Sequence, residues 1–264
     1  MINNTLKNQG NISKFEIEKN LKTSYIGKKI NIANEVDSTN DWTKREVRNN
    51  FINGSVFLSE TQSNGRGRLG NNWECQEGKD ILMSVAVDFG NKTIKSFMPL
   101  VVGLAVSKAI NLHFKCKATL KWPNDILIEN RKVCGILCES IKGENNNVLI
   151  IGIGINCNSE NFYDSIKNTA TSLYLATKNK VKRETLISEI LNNLELYLSA
   201  ETDEIIGEYR KNCVSIGKTA EVNYGGNHIE GIMVDIANNG ELLIKCKDNT
   251  VLRLNSLDKI RQKL

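Results

Sequence analysis

The sequence predicts an α+β fold, with a mixed β-sheet flanked by helices and a small β-barrel at the carboxy terminus. Three observations carry this reading. Apolar, β-branched runs recur at 55–60, 80–89, 118–129, 131–141 and 146–158, with the length of strands. A continuous apolar run over 96–114 and a leucine–isoleucine stripe over 182–198 have helical length and spacing. After residue 213, short strands alternate with GG, NNG and DN turns, the rhythm of a barrel of about fifty residues. A boundary is therefore placed near 213: residues 1–36 lead in, 37–212 form the main domain, and 213–264 form the small one.

Ser13 followed by Glu16 is a capping box with Ile12 and Ile17 as its staple, so a helix is expected from near Lys14 to about Lys22. KKINIANEV (28–36) alternates like a strand. It leads into DSTN (37–40), where Asp37, Ser38 or Thr39 can cap a helix through Trp42 and Val47. SVFLSE and DILMSVAVDF read as strands on either side of the polar loop TQSNGRGRLGNNW. SFMPLVVGLAVSKAINLHF follows as a buried helix, with Pro99 tolerated in its first turn. ATLKWPNDILIE and RKVCGILCESI read as two strands joined by a tight turn near 129–131, and NNVLIIGIGINCN as a third. Leu186, Ile187, Ile190, Leu191, Leu194 and Leu198 mark a helix, and DEIIGEYRKN extends or follows it.

The chain has 264 residues, 40% hydrophobic and 25% charged, which is ordinary globular composition. Its net charge of +5 is dispersed, which suits anionic substrates and argues only weakly for nucleic acid. The 7 cysteines lack paired C-x-x-C spacing and only 2 histidines accompany them, so reduced thiols are expected and no metal set is assembled. The first fourteen residues carry no apolar core of signal-peptide length and no run is long enough to cross a membrane, so a cytoplasmic protein is expected.

GRGRLG (65–70) matches the dinucleotide fingerprint G-x-G-x-x-G in form. The match fails in context, because NNWECQEGK after it has no helical periodicity and no Gly-Lys-Ser/Thr completes a P-loop. Arg66 and Arg68 in this loop, Lys121 before WPND, and Lys132 before a strand are cations in separate segments, a pattern suited to a ligand carrying both carboxylate and phosphate. The glycines at 65, 67 and 70 let backbone N–H groups approach an anion. The structural alternatives stand beside this: a solvated Gly-Arg turn, a surface Lys121–Asp125 pair worth about 0–1 kcal/mol, and GIGIN as plain core strand. His113 and His228 read as surface or packing residues.

The order DSTN, TQSNGRGRLG-x-x-W, KWPND, RKVCGIL, GIGIN resembles the catalytic core of bacterial biotin protein ligases (biotin–[acetyl-CoA-carboxylase] ligases), over roughly residues 15–264. That resemblance implies a class II synthetase-like core with an SH3-like carboxy-terminal barrel. It also implies a two-step reaction in which biotin and ATP form biotinyl-5'-AMP and pyrophosphate, and the biotinyl group then passes to a lysine of a biotin carboxyl carrier domain. Ser38, Thr39, Asn40 and Gln62 would belong to the biotin site, with Gln62 on the ureido ring. Arg66, Gly67 and Arg68 would meet the carboxyl and phosphate region, bridged by Lys132. Gly135 and Leu137 would line the biotin wall, and Gly152 and Gly154 would leave room at its floor. Asn156 would read the adenine, with Trp73 in support.

Arg66, Arg68, Lys121 and Lys132 would stabilise the charge of the activation step together with Mg2+ held mainly by the phosphates, with no protein metal site. Asp125 would position or deprotonate the acceptor lysine, whose pKa is about 10.4. The loop would act as a lid over a mixed anhydride that water destroys. Implied partners are the carrier domain and, as one oligomeric option, a second copy of the chain; neither DNA nor membrane is implied. Two departures stand out. The family often has a further arginine where Leu69 or Asn71 stands here, so the cationic loop is thinner. Only 36 residues precede Asp37, fewer than a DNA-binding module of about sixty residues plus the lead-in helix needs, so no repressor function is expected. Two rival readings are a lipoate or octanoate ligase, which shares the architecture without the combined GRGR and KWPND pattern, and a nucleic-acid-binding module using Arg66 and Arg68 on phosphates.

Overall fold

A computed structural model describes residues 11–263, apart from 50, 51, 115, 144, 145, 225, 226, 257 and 259. The first ten residues of the lead-in segment and the GG turn at 225–226 lie outside the described residues. Helix α1 (Lys14–Glu18) begins where the capping box places it, with Ser13 Oγ accepting from the Glu16 backbone N–H. It ends well before Lys22. The chain beyond it is drawn onto a later helix, where Asn192 accepts from the Lys22 N–H and Glu195 accepts from the N–H groups of Ser24, Tyr25 and Ile26.

Strand β1 (Ile30–Val36), helix α2 (Thr39–Asn49), and strands β2 (Val56–Gln62) and β3 (Ile81–Asp88) follow in the expected order. Helix α3 (Met98–His113) is buried along nearly its whole length and accepts Pro99 in its first turn. The segment expected as one strand over 118–129 is instead a hairpin of β4 (Thr119–Lys121) and β5 (Asp125–Ile128). Its fold falls at Trp122-Pro123-Asn124, where Pro123 has no N–H for a sheet ladder and the Trp122 backbone N–H is taken by Ser215 Oγ.

Strands β6 (Arg131–Lys142) and β7 (Asn147–Ile155) complete a seven-stranded sheet in the order β1-β2-β3-β7-β6-β5-β4, parallel only between β1 and β2. Short α4 (Leu173–Thr177), not foreseen from sequence, precedes α5 (Arg183–Leu198) and α6 (Thr202–Asn212). Helices α1, α3, α5 and α6 pack together, and α3 covers β4, β5 and β6.

The alternation of β7 explains how one sheet serves two purposes. Ile151, Ile153 and Ile155 join the apolar core, while Gly152 and Gly154 point the other way, toward α2 and the 63–73 loop. Their partners Leu137 and Gly135 on β6 share that second face. Lys132 would fall on the wrong face under strict alternation. A register shift between Ile126 and Leu127, with Cys134 opposite one and Lys132 opposite the other, restores it to the face of Gly135 and Asp125.

Beyond α6 lies a five-stranded antiparallel sheet of β8 (Thr219–Tyr224), β9 (Asn227–Ile236), β10 (Leu242–Cys246), β11 (Val251–Leu254) and β12 (Ile260–Lys263), in the order β11-β10-β9-β8-β12. Gly240 and Asn249 take positive φ in its NNG and DN turns. The last strand was not foreseen, since IRQK carries one apolar residue. The sheet is tied to the Trp122 hairpin: Trp122 Nε1 donates to Gly240 O and Gln262 Nε2 to Trp122 O.

Candidate active site

A cavity of ≈ 190 Å³ opens between the glycine face of the sheet, the first turn of α2 and the 63–73 loop. Among its lining residues are Ser38, Thr39, Asn40, Gln62, Arg66, Gly67, Arg68, Trp73, Asp125, Lys132, Gly135, Leu137, Gly152 and Gly154. Residues up to 116 positions apart in the chain are thereby collected in one place, because strand pairing brings 135 and 137 beside 152 and 154 while α2 caps the same face.

The glycines act less directly than expected. A Cβ on Gly152 would lie 2.3 Å from Asn40 Oδ1, one on Gly154 2.4 Å from Trp73 Cε2, and one on Gly135 2.7 Å from Trp73 Cζ3. Each therefore seats a side chain of the same protein against the sheet, and those side chains shape the cavity.

A chain of hydrogen bonds runs along the α2 side. Gln62 Oε1 accepts from the Thr39 N–H and hydroxyl at 2.7 and 3.1 Å. The Ser84 hydroxyl lies 2.8 Å from Thr39 Oγ1 and 2.6 Å from Asn40 Oδ1. Asn40 Nδ2 donates to Glu139 Oε2 at 2.8 Å and to Leu137 O at 3.3 Å. Asn40 is 3% exposed, so its amide orientation is set by these partners.

The cations are largely matched by carboxylates. Arg66 Nη2 donates to both oxygens of Glu139 at 2.8 and 2.6 Å and lies 3.1 Å from Asp41 Oδ1. Lys44 Nζ reaches the same two acids at 2.7 and 3.3 Å. Burial opposes the charge of Glu139, but hydrogen bonds from Lys44 and Asn40 outweigh it and hold the carboxyl below the usual glutamate range. Lys132 Nζ is 2.7 Å from Asp125 Oδ1 and 5.5 Å from the Trp73 ring centroid. Arg68 bonds neutral oxygens instead, Asn124 Oδ1 at 2.9 Å and the Ser256 carbonyl. Burial lowers its pKa. Two buried donors on residues that line the cavity, Arg66 Nε and Trp73 Nε1, have no partner among the described residues.

Two expected members lie elsewhere. Lys121 stands opposite Asp125 in register but on the edge strand β4, one strand farther out, and does not line the cavity. Asn156 follows the end of β7, donates through Nδ2 to Thr171 O, and lines a separate small cleft with Glu74, Cys75, Asp80 and Ser159. Conversely, Asp41, Lys44, Ser84 and Glu139 complete the polar network without having been singled out in the sequence. Period-two counting along β6 from Gly135 and Leu137 reaches Glu139, so its face was readable. Its partners were not. Among the described residues no group of three or more His, Cys, Asp or Glu side chains converges to hold a metal, and no helix is long and apolar enough to cross a membrane.

The Biotin/lipoate A/B protein ligase family profile matches residues 33–156. The chain is 36% identical over 191 residues to the bifunctional ligase/repressor BirA of Bacillus spizizenii, a match covering 70% of this chain and 58% of that protein. It is 27% identical over 250 residues to the biotin–[acetyl-CoA-carboxylase] ligase of Mycobacterium tuberculosis, covering 89% of this chain and 92% of that one. Its fold resembles the biotin protein ligase from Aquifex aeolicus in complex with biotin and ATP, with a TM-score of 0.77 at 28% identity, covering 89% and 100% of the two chains. The match thus spans little more than half the length of the Bacillus relatives.

Proposed function

We propose that the chain is an ATP-dependent biotin–protein ligase of the biotin/lipoate A/B protein ligase family, whose profile matches residues 33–156. The observation that carries this is the cavity in which Ser38, Thr39, Asn40 and Gln62 face Arg66, Arg68, Lys132 and Asp125 across a glycine-floored sheet. A glycine-floored slot lined by both neutral hydrogen-bonding side chains and cations suits a molecule with a polar ring, an aliphatic arm and a carboxylate.

In this reading the biotin carboxylate attacks the α-phosphate of ATP, releasing pyrophosphate and forming biotinyl-5'-AMP. Two anions must meet, so Arg66, Arg68 and Lys132 supply opposing charge and hydrogen bonds. Arg68 carries most of the uncompensated charge, since the others are matched by Glu139, Asp41 and Asp125. Magnesium enters with the nucleotide, and no step is assigned to a protein-bound metal. The acceptor lysine of a carrier domain then attacks the acyl carbon, AMP leaves, and Asp125 orients the amine or takes its proton. Trp73 and the loop exclude water from the anhydride. Lys121 is outside this set, and Asn156 would reach adenine only through the adjoining cleft.

The same reading makes 213–264 a separate small domain of SH3-like barrel type, places the enzyme in the cytoplasm, and assigns no operator binding to the chain. Incubation with ATP, magnesium, biotin and a biotin carboxyl carrier domain, followed by mass measurement, tests it. The carrier gains one biotinyl group per acceptor lysine. Pyrophosphate exchange driven by lipoate and not biotin would overturn the substrate assignment, and salt-sensitive binding to a specific DNA operator would overturn the non-regulatory one.

A further inference from the structure

We infer that Glu139 is a positioning residue for the activation step: it clamps one end of the Arg66 guanidinium beside the Asn40 amide, so that a single strand-borne carboxylate fixes the direction of the Arg66 fork. The inference rests on the ligase reading above. Glu139 sits on the cavity face of β6, two residues beyond Leu137, directly opposite Ile150 in register. Rigid strand pairing thus fixes its backbone, which a loop residue would lack.

Its two oxygens serve three donors. Arg66 Nη2 reaches both at 2.8 and 2.6 Å, Lys44 Nζ reaches Oε1 at 2.7 Å, and Asn40 Nδ2 reaches Oε2 at 2.8 Å. Arg66 and Lys44 against Glu139 and Asp41 form a cluster of two positive and two negative charges, so the cluster adds no net charge at the cavity. What it fixes is direction. With Nη2 held by carboxylate, the Arg66 Nε–H is a buried donor without a partner among the described residues. That unmet donor is the part of the fork left for a ligand carboxylate or phosphate oxygen.

The same carboxylate fixes Asn40 from the other side. With Nδ2 committed to Glu139 and Oδ1 to Ser84, the amide cannot flip. Gly152 is the opposing wall, since a Cβ there would overlap Asn40 Oδ1. Glutamine at 139 would keep the volume but present an amide donor to three donors, while aspartate would keep the charge on a shorter arm.

The test compares the full-length protein with Glu139→Gln and Glu139→Asp, using biotin and biotinol, the analogue with an alcohol in place of the carboxylate. Wild-type protein is first required to catalyse biotin-dependent ATP–pyrophosphate exchange. Its failure there would remove the ligase reading itself, independently of any variant. Given exchange, Glu139→Gln should weaken biotin binding by about tenfold or more, the loss expected when a charged hydrogen bond is misdirected, while biotinol binding changes by less than about threefold. Glu139→Asp should recover part of the difference. Circular dichroism and thermal melting establish that each variant is folded. Equal weakening toward both ligands would mean a merely structural role and would overturn the inference, as would unchanged binding. Tighter biotin binding in Glu139→Gln would also overturn it, because the carboxylate would then compete with the ligand for Arg66.

Discussion

Lys132 Nζ lies 2.7 Å from Asp125 Oδ1, and the two residues belong to adjacent strands whose register shift turns both toward one cavity. On the proposed ligase reading, the pair would let one site handle an anion and then a cation. A phosphate or carboxylate that draws Lys132 away leaves Asp125 free for an incoming ammonium. Asp125→Asn should therefore keep biotin-dependent pyrophosphate exchange within about threefold, while transfer to a carrier domain falls by at least about tenfold. Single-turnover measurement of intermediate formation and transfer separates the two, and equal losses would refute the division of roles.

Gly154→Ala should destabilise the protein by about 1–3 kcal/mol, because the added methyl enters the space of the indole. A Cβ at this position would come within 2.4 Å of Trp73 Cε2, which identifies the obstacle. In a Trp73→Ala background most of that cost should vanish, which urea unfolding of the four-member cycle measures. An unchanged cost would show that Trp73 is not what the glycine accommodates.

Arg68→Gly should leave activation partly intact and let the acyl-adenylate escape. Arg68 ties the loop to Asn124 and to the Ser256 carbonyl, so its loss would free the loop at both anchors. Mass spectrometry of a mixture with bystander proteins should then find biotin on their lysines. Labelling confined to the carrier domain would argue against a lid held by Arg68.

Glu60→Ala should cost about 3–5 kcal/mol of stability, as when one member of a buried ion pair is removed. The Glu60 and Arg183 side chains are 3% and 5% exposed with 2.7 Å between Oε2 and Nη1. Glu60 Oε1 also accepts the Ile12 N–H at 2.6 Å, so the amino-terminal segment should loosen in the same variant. Denaturant unfolding and amide exchange near Ile12 are the readouts.

Glu139 makes stability depend on acid in a stated direction. Its carboxyl titrates below its ordinary value of 4.5, so the stabilisation is fully present above that value and is lost as pH falls through the lowered one. The stability difference between wild type and Glu139→Gln should be flat from about pH 5.5 to about pH 8 and shrink below about pH 4.5. A difference that grows on acidification would contradict the sign.

Much of the site is legible in short stretches of sequence. DSTN, GRGRLG, KWPND, RKVCGIL and GIGIN each place residues in the cavity, because glycine, proline and capping residues mark local geometry within a few positions. The same local rules locate α2, α3, α5 and most strands. They fail at KWPND, where apolar residues on both sides of the proline read as one strand although the chain reverses there. They also fail at β12, whose single apolar residue carries no period.

By itself the sequence determined the alternation of β7, with isoleucines to the core and glycines to the cavity, and the absence of a helix after GRGRLG that rules out the dinucleotide reading. Both depend on neighbours one to four residues apart. Only the tertiary structure decided that Arg66 meets Glu139 across 73 positions, that Asp125 takes Lys132 and not Lys121, and that Trp73 fills the space above two glycines. Charged side chains have many partners of suitable sign in a chain, and the energy that chooses among them falls off with distance, which is set only when strands pair and the loop closes against the sheet.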